Sequence, residues 1–251
     1  MTDLQIVQLY PDLLGVTGDR GNVDVLATRA RLAGLDAAIT SIGMADAAEP
    51  DADVIVIGNG PLSALRTVRD DLFGRRAWLS RQREAGAVIF AVGAGAELLA
   101  ANVRVLDGPD IEGLGLVPAT VARTRDRRVG YIVAETRDGR LVGFEDHASV
   151  WTLQPGADPA IRYGTVVAGR GSLDPAGETV VVDGVYATNV QGPALPLNPQ
   201  LADAILRTAV AKRGGEYDTG AAHAQIDDYA RHARAEIERR AASKHFTAIQ
   251  L

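Results

Sequence analysis

The sequence predicts an α/β fold of three layers, with a mostly parallel central sheet between helices and antiparallel additions in its second half. Three observations carry that expectation. Short runs that are apolar from end to end, as strands buried on both faces are, alternate with segments of helical period through the first half. Glycine-bearing loops follow three of the strands. The second half then changes to short, β-rich stretches separated by glycines or charged turns.

The elements follow in order. Residues Leu4–Leu9 are an apolar run closing on Tyr10, Pro11 and Asp12, as a buried first strand and its loop would. The polar connection GVTGDRGN comes next, with Gly18, Gly21 and Asn22 in it, and then NVDVLATRARLAG repeats apolar residues at helical spacing until Gly34. LDAAITSIG is the second strand, and Asp53–Gly58 the third, with the loop Gly58–Pro61 at its carboxyl end. Leu62–Ala85 is one long, arginine-rich helical region stopped by Gly86. Ala87–Val92 is a central strand, and Gly93–Ala100 turns straight into a helix. Such a strand-to-helix elbow leaves free backbone N–H groups above it.

Further on, RRVGYIVAE, RLVGFED, GTVVAG, TVVVDG and VYATNV read as strands or hairpins around the parallel core. Pro199–Lys212 is a helix and Ala221–Ala242 a strongly charged one, docked through Ile226, Tyr229, Ala233 and Ile237. The expected division is one main domain over residues 1–212 and a helical extension over 213–251 packed on it.

Composition narrows the chemistry. With 251 residues the chain is long enough for one sizeable core, and 47% apolar against 23% charged residues is ordinary for a globular protein. No apolar stretch is long enough to span a bilayer and no leader pattern opens the chain, so a cytoplasmic protein is expected. A net charge of −6 gives no steering toward nucleic acid. The absence of any cysteine removes disulfides, thiolate metal sites and thiol nucleophiles together. Four histidines, none spaced as HExxH, make a zinc site improbable, and no cofactor is expected.

The loops Gly58–Pro61, Gly93–Gly95 and Gln191–Pro193 are expected to meet beyond the carboxyl ends of the sheet, where ligands bind in open α/β folds. Each alone is equally explained by glycines that permit a tight turn. GAGAE is not GxGxxG, so no dinucleotide fingerprint is present. Amide hydrolysis by a thiol needs a nucleophile at the elbow, a base within reach and N–H donors for the oxyanion. Gly93 supplies no nucleophile, although donors remain at Asn59, Gly60, Ala94 and Gly95. Thr188 and Ser63 carry hydroxyls, but neither has a histidine visibly beside it.

Several landmarks resemble one family. They are Leu9–Tyr10–Pro11–Asp12, Gly18–Asp19–Arg20–Gly21–Asn22, the glycine loop Gly58–Gly60 and AVGAGAELLA. Later come Arg127 with Val129 and Gly130, Gly143–Phe144–Glu145–Asp146–His147, and GPALPLNPQLAD at Gly192–Asp203. Together they resemble the GatD family of class I glutamine amidotransferase subunits, related to the cobyric acid synthase type and working with a MurT-type Mur ligase. The resemblance covers about four-fifths of the chain and implies a class I glutamine amidotransferase-like fold, flavodoxin-like or Rossmann-like. It also implies a glutaminase that passes ammonia to its ligase, which amidates a lipid-linked cell-wall precursor.

In that comparison Gly93 stands where the family has its cysteine and Gln191 where it has its histidine, so both halves of the dyad are missing. Ala94, Ala96, Glu97 and Ala187 also depart from the family pattern, as natural divergence produces. The resemblance therefore implies a catalytically inactive subunit or scaffold whose partner is a MurT-like ligase or a second copy of the chain. The alternatives are an active glutaminase subunit with an unrecognised nucleophile, or a sensor that binds a small amino-acid-like ligand in the remnant pocket. Asp19, Arg20, Asn22, Glu97 and Arg127 are the candidate ligand or partner contacts. Asp19 and Arg20 are also able to pair with each other.

Overall fold

A computed structural model describes residues 4–243. The elements are β1 (Leu4–Leu9), α1 (Arg20–Leu32), β2 (Ala37–Ile42), β3 (Val54–Ile57), α2 (Leu62–Gly74), α3 (Arg76–Glu84), β4 (Val88–Val92) and α4 (Ala94–Leu99). They continue with β5 (Asn102–Arg104), β6 (Ile111–Glu112), β7 (Ala119–Thr136), β8 (Gly139–Leu153), β9 (Arg162–Ala168), β10 (Gly177–Val182), β11 (Val185–Thr188), α5 (Ala194–Leu197), α6 (Pro199–Lys212) and α7 (Ala221–Ala241).

The strands form one sheet in the order β2-β1-β3-β4-β11-β10-β9-β7-β5-β6, with β8 paired to β7. From β2 to β11 every pairing is parallel, while β11 to β10, β10 to β9, β9 to β7 and β7 to β8 are antiparallel. Alternation along β3 shows how the layers arise. Ile55 and Ile57 pack with Leu65, Val68 and Trp78 from α2 and α3 on one face, whereas Val54 and Val56 pack with Leu26 of α1 and Ile205 of α6 on the other. A strand buried on both faces has to be apolar at every position, which is what VIVI supplies.

Three expectations about elements change. The GDRGN segment is not a loop throughout, because α1 starts at Arg20 and already contains Asn22. The region Leu62–Ala85 divides at Arg75, whose buried guanidinium bonds Asp71 Oδ2 at 2.8 Å and the Ala48 carbonyl at 2.9 Å. That inward turn ties the incoming Asp46–Asp51 segment to the helices, and Trp78 Nε1 adds a bond to the Pro50 carbonyl at 2.9 Å.

The docked face of α7 is the third change. Tyr229 is 72% exposed and Ala233 is exposed as well, whereas His223, Ala230 and Ile237 are buried. Of the predicted contacts Ile237 is buried and Ile226 half-buried, while Tyr229 and Ala233 face solvent and Ala230 takes the inner position instead. A buried cation draws the helix into that register: Arg29 of α1 holds Asp203 of α6 with two 2.8 Å bonds and also bonds Asp227 of α7. Ile237 closes a small cluster with Val133 and Val142. Among the described residues, no helix is long and apolar enough to cross a membrane.

Candidate functional site

β4 lies between β3 and β11, and the three run parallel with Ile57 beside Ala91 and Val92 beside Thr188. Their following loops therefore open side by side at one edge of the sheet. Gly93 follows β4 with φ +53° and ψ −118° and leads directly into α4. A side chain at that φ is strained, so glycine holds the elbow without cost. Its N–H donates to the Thr188 carbonyl at 2.9 Å, and its carbonyl accepts from Glu97 N–H at 2.9 Å.

The space above the elbow is filled from the neighbouring loop. A Cβ at position 93 would lie 2.1 Å from Asn59 Oδ1 and 2.9 Å from Asn59 Cβ. That same Oδ1 accepts the Ala94 N–H at 2.9 Å, and the Asn59 N–H donates to Asp19 Oδ2 at 3.0 Å. The Gly95 N–H is used by the Gly58 carbonyl at 3.1 Å. Three of the four expected donors thus have partners within the protein. Gly58 is needed for this packing, since a Cβ there would lie 2.0 Å from the Leu14 carbonyl oxygen.

Asp19 is buried beneath the glycine loop and also accepts from the Thr17 hydroxyl at 2.9 Å. Burial pushes its carboxyl above the ordinary aspartate range, against the pull of the Asn59 N–H and Thr17. Arg20 turns outward to Asp24 at 2.8 Å, so Asp19 and Arg20 do not pair with each other. Asn22 is fully buried and accepts the Leu195 N–H at 2.9 Å, joining α1 to α5.

A cavity of about 330 Å³ opens beside the elbow. Of the residues singled out in the sequence, Asn59, Gly60, Gly93, Glu97 and Arg127 border it while Gly58, Ala94, Gly95, Gln191, Asp19, Arg20 and Asn22 do not, and Arg123, Asp146, His147 and Asn189 border it as well. Glu97 pairs with Arg123 Nε at 2.8 Å. Burial pushes the Glu97 carboxyl up, and the Arg123 guanidinium only partly offsets this. Arg127 grips Asp146 through two bonds of 2.7 and 2.9 Å at the mouth.

Gln191 is buried and does not border the cavity. Its backbone exchanges two hydrogen bonds with Phe144, and its Nε2 donates to the Asp146 carbonyl at 3.2 Å. Thr188 faces a polar knot beneath the floor, where the fully buried Glu178 accepts its hydroxyl at 3.1 Å and the Asn189 N–H at 2.9 Å. Glu178 also takes the Ser172 N–H and hydroxyl at 3.0 and 2.8 Å. Glu178 thereby fixes where Asn189 presents its side chain. A lone glutamate before the apolar run TVVV was the one available sequence signal for this knot. Nothing in the sequence marked Asn189 or Arg123.

The arrangement keeps a ligand-sized cleft and its charged walls but has no atom at the elbow able to attack a carbonyl carbon. A family model described as the CobB/CobQ-like glutamine amidotransferase domain matches residues 5–196. The chain is 28% identical over 218 residues to the "Lipid II isoglutaminyl synthase (glutamine-hydrolyzing) subunit GatD" of Streptococcus pneumoniae, covering 85% of this chain and 83% of that one. It is 26% identical over 217 residues to the protein of the same description from Staphylococcus aureus, covering 85% and 87%. Among solved structures, a glutamine amidotransferase crystal structure superposes with TM-score 0.56 at 19% identity, over 81% of this chain and 98% of that one. The PurLQS structure from Thermotoga maritima superposes with TM-score 0.54 at 12% identity, over 84% and 97%. At such identities the two structures bear on the fold alone.

Proposed function

Because the chain belongs to the CobB/CobQ-like glutamine amidotransferase domain family yet contains no cysteine, we propose that it is a GatD-like subunit that supports a MurT-like Mur ligase without hydrolysing glutamine. The observation that carries this reading is the elbow itself. The backbone keeps the turn that presents a nucleophile, while the position holds only hydrogen and Asn59 fills the space a thiol would need. The two curated relatives bear the name of a glutamine-hydrolysing subunit of lipid II isoglutaminyl synthase. Transferred to this chain, that partnership survives and the hydrolysis does not, so the ligase takes free ammonia or a substrate that needs none. The same reading places the complex in the cytoplasm.

Co-expression with a Mur-ligase-like protein of the same genome tests it. A stable complex by size-exclusion chromatography is expected, with no glutamate released from glutamine above a buffer blank. A chain that stays alone with every such ligase, or glutamate release in the complex, would overturn the reading.

A further inference from the structure

The sheet is closed differently at its two ends. At β6 the edge is two residues long and carries Glu112, whose carbonyl and carboxylate are held by Arg69 at 3.5 and 3.0 Å. Short edge strands and charged side chains keep another chain from pairing. The opposite edge, β2, has neither device. It is six residues long, and the run Ala37–Gly43 contains no charge and no proline.

The backbone groups left open there follow from the pairing with β1. The Leu4 N–H donates to the Asp36 carbonyl at 2.8 Å and the Tyr10 N–H to the Ile42 carbonyl at 2.7 Å, with Leu4 opposite Ala37 and Leu9 opposite Ile42. In a parallel ladder this register turns Ala38, Thr40 and Ile42 toward β1 and points the N–H and C=O of Ile39 and Ser41 away from the sheet. The Ala37 carbonyl is already taken by Arg31 Nη2 at 2.7 Å.

A strand of the same sequence running the other way fits this edge. With Thr40 opposite Thr40, Ile39 exchanges N–H···O bonds with Ser41 of the second copy, and Asp36 meets Met44 rather than a like charge. The ends are complementary too. Among the described residues Arg31, at the start of β2, bonds a carbonyl and no carboxylate, while Asp46, just past its end, accepts only the Ala48 N–H at 3.0 Å. Antiparallel pairing sets each Arg31 beside the Asp46 of the other copy; parallel pairing would set Arg31 beside Arg31. Leu32 and Met44, two large apolar side chains left exposed, flank β2 and come to the same ends of the joint.

We propose that two copies of this chain pair antiparallel along β2, about a two-fold axis at Thr40, and so join their sheets into one. The inference concerns the chain by itself and is independent of the ligase partnership, so either can fail without the other.

Sedimentation velocity of the full chain over a range of concentrations tests it, and a monomer–dimer equilibrium is expected. The chain has no cysteine, so a single introduced thiol reports on one position. Thr40→Cys should form a disulfide-linked dimer under mild oxidation, because Cα atoms in such a pair are about 4.5 Å apart, within a disulfide's span. Ala38→Cys, at a more exposed position, should not, since its two copies would be about 13 Å apart along the strands. Ser41→Pro removes an outward N–H without touching the bonds to β1 and should give a monomer. Arg31→Asp should raise the dimer dissociation constant about tenfold, and adding Asp46→Arg should restore it. If Ser41→Pro melts lower than the parent, the charge exchange decides in its place. A single monomeric species at every concentration, cross-linking at Ala38→Cys equal to that at Thr40→Cys, an unchanged dimer in folded Ser41→Pro, or no response to the charge exchange would each overturn the proposal.

Discussion

Asn59 and Gly93 are thirty-four positions apart in sequence, and the contact between them decides what the elbow can accept. A methyl group at 93 meets two penalties, a positive φ for an L-residue and overlap with the Asn59 amide. Together they predict that Gly93→Ala destabilises the fold by about 2–4 kcal/mol. Adding Asn59→Gly should return the overlap share, about 1–2 kcal/mol, and leave the φ share. Urea unfolding of the two single variants and the double variant reads the coupling, and purely additive effects would show that Asn59 does not fill that space. The missing nucleophile was legible in the sequence because a loop pattern fixes which position sits at the bend. The filling side chain was not, because it requires knowing how two loops on adjacent strands face one another. Asn189 was hidden for a similar reason: its partner Glu178 precedes it by a hairpin whose pairing no local pattern specifies.

Among the elements, the parallel half was readable because strands buried on both faces and helices buried on one leave different periods. α7 shows where that reasoning stops. Its apolar residues are few, and a period fitted to Ile226, Tyr229, Ala233 and Ile237 finds Ile237 but misplaces Tyr229 and Ala233 on the helix that Arg29, Asp203 and Asp227 anchor. An ion network has no hydrophobic period and so leaves no such trace. Asp203→Ala would leave the Arg29 guanidinium, 1% exposed at its side chain, with Asp227 alone. It would also remove the acceptor of Tyr217 Oη at 2.6 Å. A loss of about 3–5 kcal/mol is expected, with earlier hydrogen exchange in α7 than in β4. Unchanged exchange in α7 would mean that Ile237 and its neighbours hold the helix without the network.

Across the whole molecule, charge is arranged against itself. Glu97 and Asp19, both near the elbow, have carboxyls pushed up by burial, while Asp71 of α2 is held low by Tyr10 and Arg75 in spite of its partial burial. The signs differ. A raised carboxyl favours the folded state below its ordinary value, 4.5 for Glu97, and that contribution is lost as pH rises through the higher folded value. The lowered Asp71 acts oppositely: its contribution is present above 3.8 and is lost as pH falls through the folded value. The stability of Glu97→Gln relative to the parent should therefore rise between about pH 4.5 and about pH 8, whatever the fixed cost of leaving Arg123 unpaired. Urea unfolding at the two pH values checks this, and a constant difference would show that Glu97 titrates normally in the fold.

The Asn59 side chain also bears on the history open to this protein. A codon change that put a thiol at position 93 would meet an occupied space and a weakened fold before it met any substrate, so selection would discard it unless position 59 had already become smaller. The change at 59 alone would strip the Ala94 N–H of its partner and bring no activity in return. Two substitutions in separate loops, neither useful without the other, would be needed before a thiol could stand at this bend. Geometry alone therefore bars the simplest route to a nucleophile here.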